Sequence, residues 1–246
     1  CEDLFYQMVK RLEKNGELSK EIVFIDGTKL EACANKYTFV WKKSVGKWEA
    51  KMYGRIQEAV SLLKQEYICD FRVAEEKRTQ DLQRICRFLE ERCKTDGTAF
   101  VHGRGKRKSR NQRYLELFQR FQERQTVYDW HTASFQGRNN YCKTDSDATF
   151  MYMKDDHMRN AQLKPGYNVQ IAVDSEYIVA VDIFQERNDV WTLFPFLKTM
   201  EEKLGFRYPS ITADSGYESE EGYTYLREQG RKPYIKPQTY EKWKKR

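Results

Sequence analysis

Apolar residues recur with two different periods along this chain, and two carboxylates interrupt them. The run Ile22-Val23-Phe24-Ile25 leads into Asp26, and Ile211-Thr212-Ala213 leads into Asp214. Continuous apolar runs of this length predict strands buried on both faces, each ending at its aspartate. A carboxylate there is costly unless it is paired, hydrogen-bonded or bound to a metal. Before the first run, Phe5, Met8 and Leu12 share one face of a helix predicted over 2–15, which Lys14-Asn15-Gly16 ends. From about 48 to about 130 the period is helical: Ile56, Val60, Leu63 and Tyr67, then Leu82, Ile85 and Leu89, then Tyr114, Leu117 and Phe121. Two or three long helices are expected here, packed as an antiparallel coiled coil. Lys94-Thr95-Asp96-Gly97 and a basic stretch over 102–113 separate the second from the third.

After Tyr141 the period becomes two. Tyr167, Val169, Ile171 and Val173 alternate with Asn168, Gln170 and Ala172, a half-buried strand over 165–174. Asp174-Ser175-Glu176 turns the chain into a partner strand over 177–184. A helix starting near Asp189 carries Leu193, Leu197, Met200 and Leu204, with Gly205 just past its end. The strand into Asp214, a helix over 219–229 and a short strand around Tyr234 complete the pattern.

With the helical segment set aside, the order is three strands followed by alternating helix and strand. That is the order of an RNase-H-like fold. The expected class is α/β: an RNase-H-like mixed sheet flanked by helices, with a large coiled-coil-like α-helical insertion after the first strand. Residues 1–47 would supply the N-terminal helix and first core strand, 48–140 the insertion, and 141–246 core strands two to five. In such a sheet the first and fourth strands are central neighbours, so Asp26 and Asp214 would face each other.

Composition narrows the function. The 246 residues carry a net charge of +7, which favours a polyanionic partner. Aromatic residues at 14% argue against disorder despite 33% charged residues. No run of 18 apolar residues exists to span a membrane. The six cysteines form no C-x-x-C pair and no histidine stands at zinc-finger spacing, so a reducing cytosol is the expected setting. Arg104, Lys106, Arg107, Lys108, Arg110 and Arg113 have no acidic residue among them from Val101 to Leu115, which suits phosphate contact over a merely solvated loop. For Asp26 and Asp214 the plain alternatives are a turn before Gly27 and a loop after a strand.

The segments FIDGTKLEACANKYTFVWKK (24–43), PGYNVQIAVDSEYIVAV (165–181) and ITADSGYESEEGY (211–223) resemble bacterial insertion-sequence transposases of the DDE type. The resemblance implies metal-dependent DNA strand cleavage and transfer. It places the first acid at Asp26, in the D-G-T context, and the second at Asp214, in the A-D-S-G-Y context. It implies a pair of Mg²⁺ ions, replaceable by Mn²⁺, held by those carboxylates. It also implies DNA partners (the element's terminal repeats and a target), a homodimer, and a bacterial cytoplasm at the nucleoid. The third acid, a Glu, would lie on a helix beyond the fifth strand. The chain is expected to be a piece truncated before it and inactive alone. The alternatives are a non-catalytic DNA-binding or regulatory remnant of such an element, or a helical assembly protein.

Overall fold

The computed structural model describes residues 2–103, 105–153 and 162–240. In chain order the elements are α1 (Glu2–Lys14), β1 (Ile22–Glu31), β2 (Phe39–Trp41), α2 (Lys42–Tyr67), α3 (Arg78–Thr95), α4 (Arg110–Phe135), β3 (Asn140–Cys142), β4 (Thr149–Tyr152), β5 (Leu163–Asp174), β6 (Tyr177–Phe184), α5 (Leu193–Leu204), β7 (Ser210–Ala213), α6 (Glu220–Glu228) and β8 (Lys232–Ile235). They form two compact units. One comprises residues 1–39 and 141–246, the other 40–140.

The first unit is built on a mixed sheet. β5 runs antiparallel between β1 and β6, and β4 pairs with its N-terminal residues. On the other side β7 lies parallel to β1, and β8 parallel to β7. The five core strands therefore stand in the order three, two, one, four, five, and the first and fourth are neighbours as the sequence predicts. Tyr6 and Val9 of α1 pack with Leu193, Phe196, Leu197 and Met200 of α5 against Val23, Ile25, Ile211 and Ala213. Leu226 of α6 and Ile235 of β8 extend this core.

Two features of the sheet differ from the sequence reading. β1 is not apolar-buried on both faces: Val23 and Ile25 are buried, while Ile22 and Phe24 are exposed. More tellingly, β5 turns its polar side inward. Asn168, Gln170, Ala172 and Asp174 are fully buried, while of the predicted apolar side Val169 is buried and Tyr167, Ile171 and Val173 are half-buried. Buried polar atoms are tolerated when hydrogen-bonded, and all three polar side chains are. Asp174 accepts from the Ser19 backbone N–H (3.2 Å) and hydroxyl (2.7 Å), the Lys20 N–H (3.0 Å), the Ser175 hydroxyl (2.8 Å) and the Tyr208 hydroxyl (3.0 Å). It ties the entry to β1 to the β5–β6 turn, where Ser175 and Glu176 adopt positive φ.

The second unit is helical. Ile56, Val60 and Leu63 of α2 and Leu82, Ile85 and Leu89 of α3 are buried, as their spacing predicts. The stripe of α4 is displaced by one position: Leu115, Phe118 and Tyr128 are buried, and Tyr114, Leu117 and Phe121 are half-buried. α4 begins at Arg110 behind an N-cap, Ser109, whose side chain accepts from the Gln112 N–H. So Arg110 and Arg113 stand on its first turn rather than in a loop. Residues 40–140 hold 22 Lys and Arg against 13 Asp and Glu, so the basic excess of the whole chain resides in this unit.

Candidate active site

The pairing of β1 with β7 sets the site. Ile25 stands opposite Ala213 in parallel register, so Asp26 and Asp214 each follow a paired position on adjacent strands. Neighbouring strands lie about 4.8 Å apart, which makes the two residues close neighbours across the sheet. Both are exposed. Asp26 is not at the end of its strand: β1 continues to Glu31 on the support of β5, and it is β7 that stops at Ala213.

Each aspartate is fixed locally. Asp26 accepts from the Gly27 N–H (2.8 Å). Asp214 accepts from the Gly216 N–H (2.7 Å) and so caps the 3-10 turn Ser215–Tyr217. A side chain at either glycine would crowd its neighbours. A Cβ on Gly27 would lie 2.6 Å from Gln170 Nε2, 3.0 Å from the Tyr217 hydroxyl and 3.1 Å from Asp189 Oδ1. A Cβ on Gly216 would lie 3.0 Å from Asp214 Oδ1 and 3.2 Å from Asp189 Oδ2.

Asp189 is a site residue that the sequence reading treats only as a helix start. It opens the 3-10 turn Asp189–Trp191 after β6. Its Oδ1 accepts from Asn168 Nδ2 (2.7 Å) and Gln170 Nε2 (3.3 Å), and Gln170 Nε2 also donates to Asn168 Oδ1 (2.9 Å). The buried Tyr217 hydroxyl donates to Gln170 Oε1. Burial, then the charges of Asp189, Asp26 and Asp214, push the Tyr217 phenol well above its usual range. A neutral donor is thus held among three carboxylates. The signal in the sequence is the pair Asn168 and Gln170, polar residues at alternate positions of a core strand, which demand a buried partner.

Elsewhere, Arg104 lies outside the described residues. Lys106, Arg107 and Arg113 are exposed and make no salt bridge among the described residues, whereas Lys108 is paired with Glu116 (2.6 Å) and Arg110 with Glu66 (2.5 Å). Glu218 accepts from the Gln238 N–H (2.6 Å). Cys33, Cys69, Cys86, Cys93 and Cys142 are free thiols. Among the described residues no three His, Cys, Asp or Glu side chains are arranged to hold a metal ion, and no helix is long and apolar enough to cross a membrane.

A mixed-sheet α/β unit carrying two aspartates side by side on its first and fourth core strands is consistent with a DDE transposase domain. Residues 138–246 match the family described as "Transposase DDE domain". The resemblance to DDE-type transposases is therefore supported over the stretch that contains Asp189 and Asp214, and Asp26 lies before it. The match supports transposase function in general terms and DNA as the partner. No curated protein and no solved structure matches the chain.

Proposed function

We propose that this unit belongs to a transposase that cleaves and joins DNA phosphodiesters, with Asp26 and Asp214 holding the divalent cation. The observation that supports this is their adjacency across the parallel β1–β7 pair. The donor set fits Mg²⁺, with Mn²⁺ able to replace it: both ligands are exposed, hard carboxylate oxygens, and the glycines beside them add no bulk. When bound, a pair of such ions activates the attacking oxygen and stabilises the leaving one in an in-line displacement. The chain's own part is to fix the two carboxylates, through the Gly27 and Gly216 amides, before DNA arrives. The sheet order three, two, one, four, five supports an RNase-H-like core. DNA phosphates would be met by the exposed Lys106, Arg107 and Arg113 of the helical unit, where the excess positive charge lies.

The test is strand cleavage of element-end DNA in Mg²⁺ by the full-length protein. Asp26→Asn and Asp214→Asn each keep side-chain shape and remove a charged ligand. Each is expected to abolish cleavage while DNA binding persists. Cleavage near the wild-type rate by either variant overturns the assignment. DNA binding without cleavage by the wild-type protein favours the regulatory-remnant alternative.

A further inference from the structure

Taking Asp26 and Asp214 as a cation pair, we propose that Asp189 is a positioning residue for that pair, acting through Gln170 and Tyr217 rather than by touching the cation. A carboxylate is acceptor-only, so Asp189 Oδ1 dictates which way both neighbouring amides point. It draws Asn168 Nδ2 and Gln170 Nε2 toward itself. The second donation from Gln170 Nε2, to Asn168 Oδ1, reinforces the same orientation. Gln170 is left with its oxygen toward Tyr217, whose hydroxyl donates to it. Tyr217 ends the turn that Asp214 caps. The chain of contacts thus bolts that turn to β5, directly opposite Gly27, which pairs with Gln170 across β1 and β5.

The two faces of β1 separate Asp189 from Asp26. Successive strand side chains project to opposite faces. Asp26 is exposed and Gly27 is buried, and Asp189 sits 3.1 Å from where a Cβ of Gly27 would be. Asp189 therefore lies on the face of β1 opposite to the Asp26 side chain, while its Oδ2 and Asp214 Oδ1 flank the same point at Gly216, 3.2 and 3.0 Å from where a Cβ would be. It packs with Asn168, Gln170 and Tyr217, which are buried.

The arrangement predicts which substitution is tolerated. Asp189→Asn keeps one oxygen in the Oδ1 position, which accepts from both Asn168 Nδ2 and Gln170 Nε2, and changes only the Oδ2 position, whereas Asp189→Leu removes that shared acceptor. A residue that acts by orienting these amides therefore tolerates asparagine, and a residue that ligates the cation through its charge does not. The probe is Mn²⁺ alone, titrated into the purified chain and followed by the electron paramagnetic resonance of free Mn²⁺. Loss of a group that orients metal ligands weakens binding about 10–100-fold. Asp189→Leu is expected to fall in that range, and Asp189→Asn to stay close to wild type. Tyr217→Phe, which leaves Asp189 in place, should weaken Mn²⁺ binding several-fold. Unchanged binding in Tyr217→Phe, or a loss in Asp189→Asn as large as in Asp189→Leu, overturns the proposal. Should Asp189→Leu not fold, Tyr217→Phe decides alone. Failure of the cation-pair reading looks different: wild type, Asp26→Asn and Asp214→Asn would all bind Mn²⁺ equally.

Discussion

Asp174 offers the sharpest stability test, because its carboxylate is fully buried and accepts five hydrogen bonds. Oδ1 takes the Ser19 N–H and the hydroxyls of Ser19 and Ser175; Oδ2 takes the Lys20 N–H and the Tyr208 hydroxyl. In Asp174→Asn the amide oxygen can occupy the Oδ2 position and the amide nitrogen can donate to the two serine hydroxyls. Only the Ser19 N–H is displaced, and Ser19 is exposed, so water can satisfy it. The expected cost is about 1 kcal/mol, the scale of one net hydrogen bond. Asp174→Ala loses every acceptor and strands the buried Tyr208 hydroxyl, and should cost about 3–5 kcal/mol. Burial alone would raise the Asp174 pKa, but its bonds from Ser19, Lys20, Ser175 and Tyr208 outweigh that and lower it. A depressed folded pKa contributes stability above the unfolded value of about 3.9, lost as pH falls through the folded value. Urea unfolding of the chain should therefore show wild type and Asp174→Asn converging on acidification below about pH 4, since Asn does not titrate. A constant gap between the two from neutral to acid pH, or an Asp174→Ala cost under about 1 kcal/mol, would refute the reasoning.

Other outcomes follow from the same geometry. Gly27→Ala drives a methyl against the amide of Gln170, itself held by Asn168, Asp189 and Tyr217, and should destabilise by about 1–3 kcal/mol. Gly27→Ala/Gln170→Ala should cost less than the sum of its parts in a double-mutant cycle of urea midpoints. Replacing Lys106, Arg107 and Arg113 with Ala should reduce the slope of log K against log salt for duplex DNA by about 2–3, at roughly 0.9 per lost phosphate contact. Lys108→Ala, which breaks a pair with Glu116, should change that slope less. Burial pushes the Cys86 thiol up to about 11, so at pH 8 a thiol reagent should modify the exposed Cys33 of the native chain and reach Cys86 only on unfolding.

The core strands and helices were legible because their periods are set by burial against one face. Leu193, Leu197, Met200 and Leu204 pack as their spacing predicts, and β1 and β7 come together as the element order predicts. The inner face of β5 was not legible. Hydrophobic alternation points Tyr167, Val169, Ile171 and Val173 inward, but of these only Val169 is buried, and the fold buries Asn168, Gln170 and Asp174 because Asp189, Tyr217, Ser19 and Tyr208 satisfy them. No local pattern encodes partners that lie 19 to 155 residues away. Asp26 and Asp214 stood out for the converse reason: each breaks an apolar run, a conflict visible in one short segment. Asp189 breaks nothing locally, so only the topology brings it to the pair.

The most direct test of the account is the position of Mn²⁺ in crystals of the protein, located by its anomalous scattering. The account predicts a peak coordinated by carboxylate oxygens of both Asp26 and Asp214, with Asp189 still bonded to Asn168 and Gln170. Mn²⁺ bound elsewhere with both aspartates uncoordinated would contradict it.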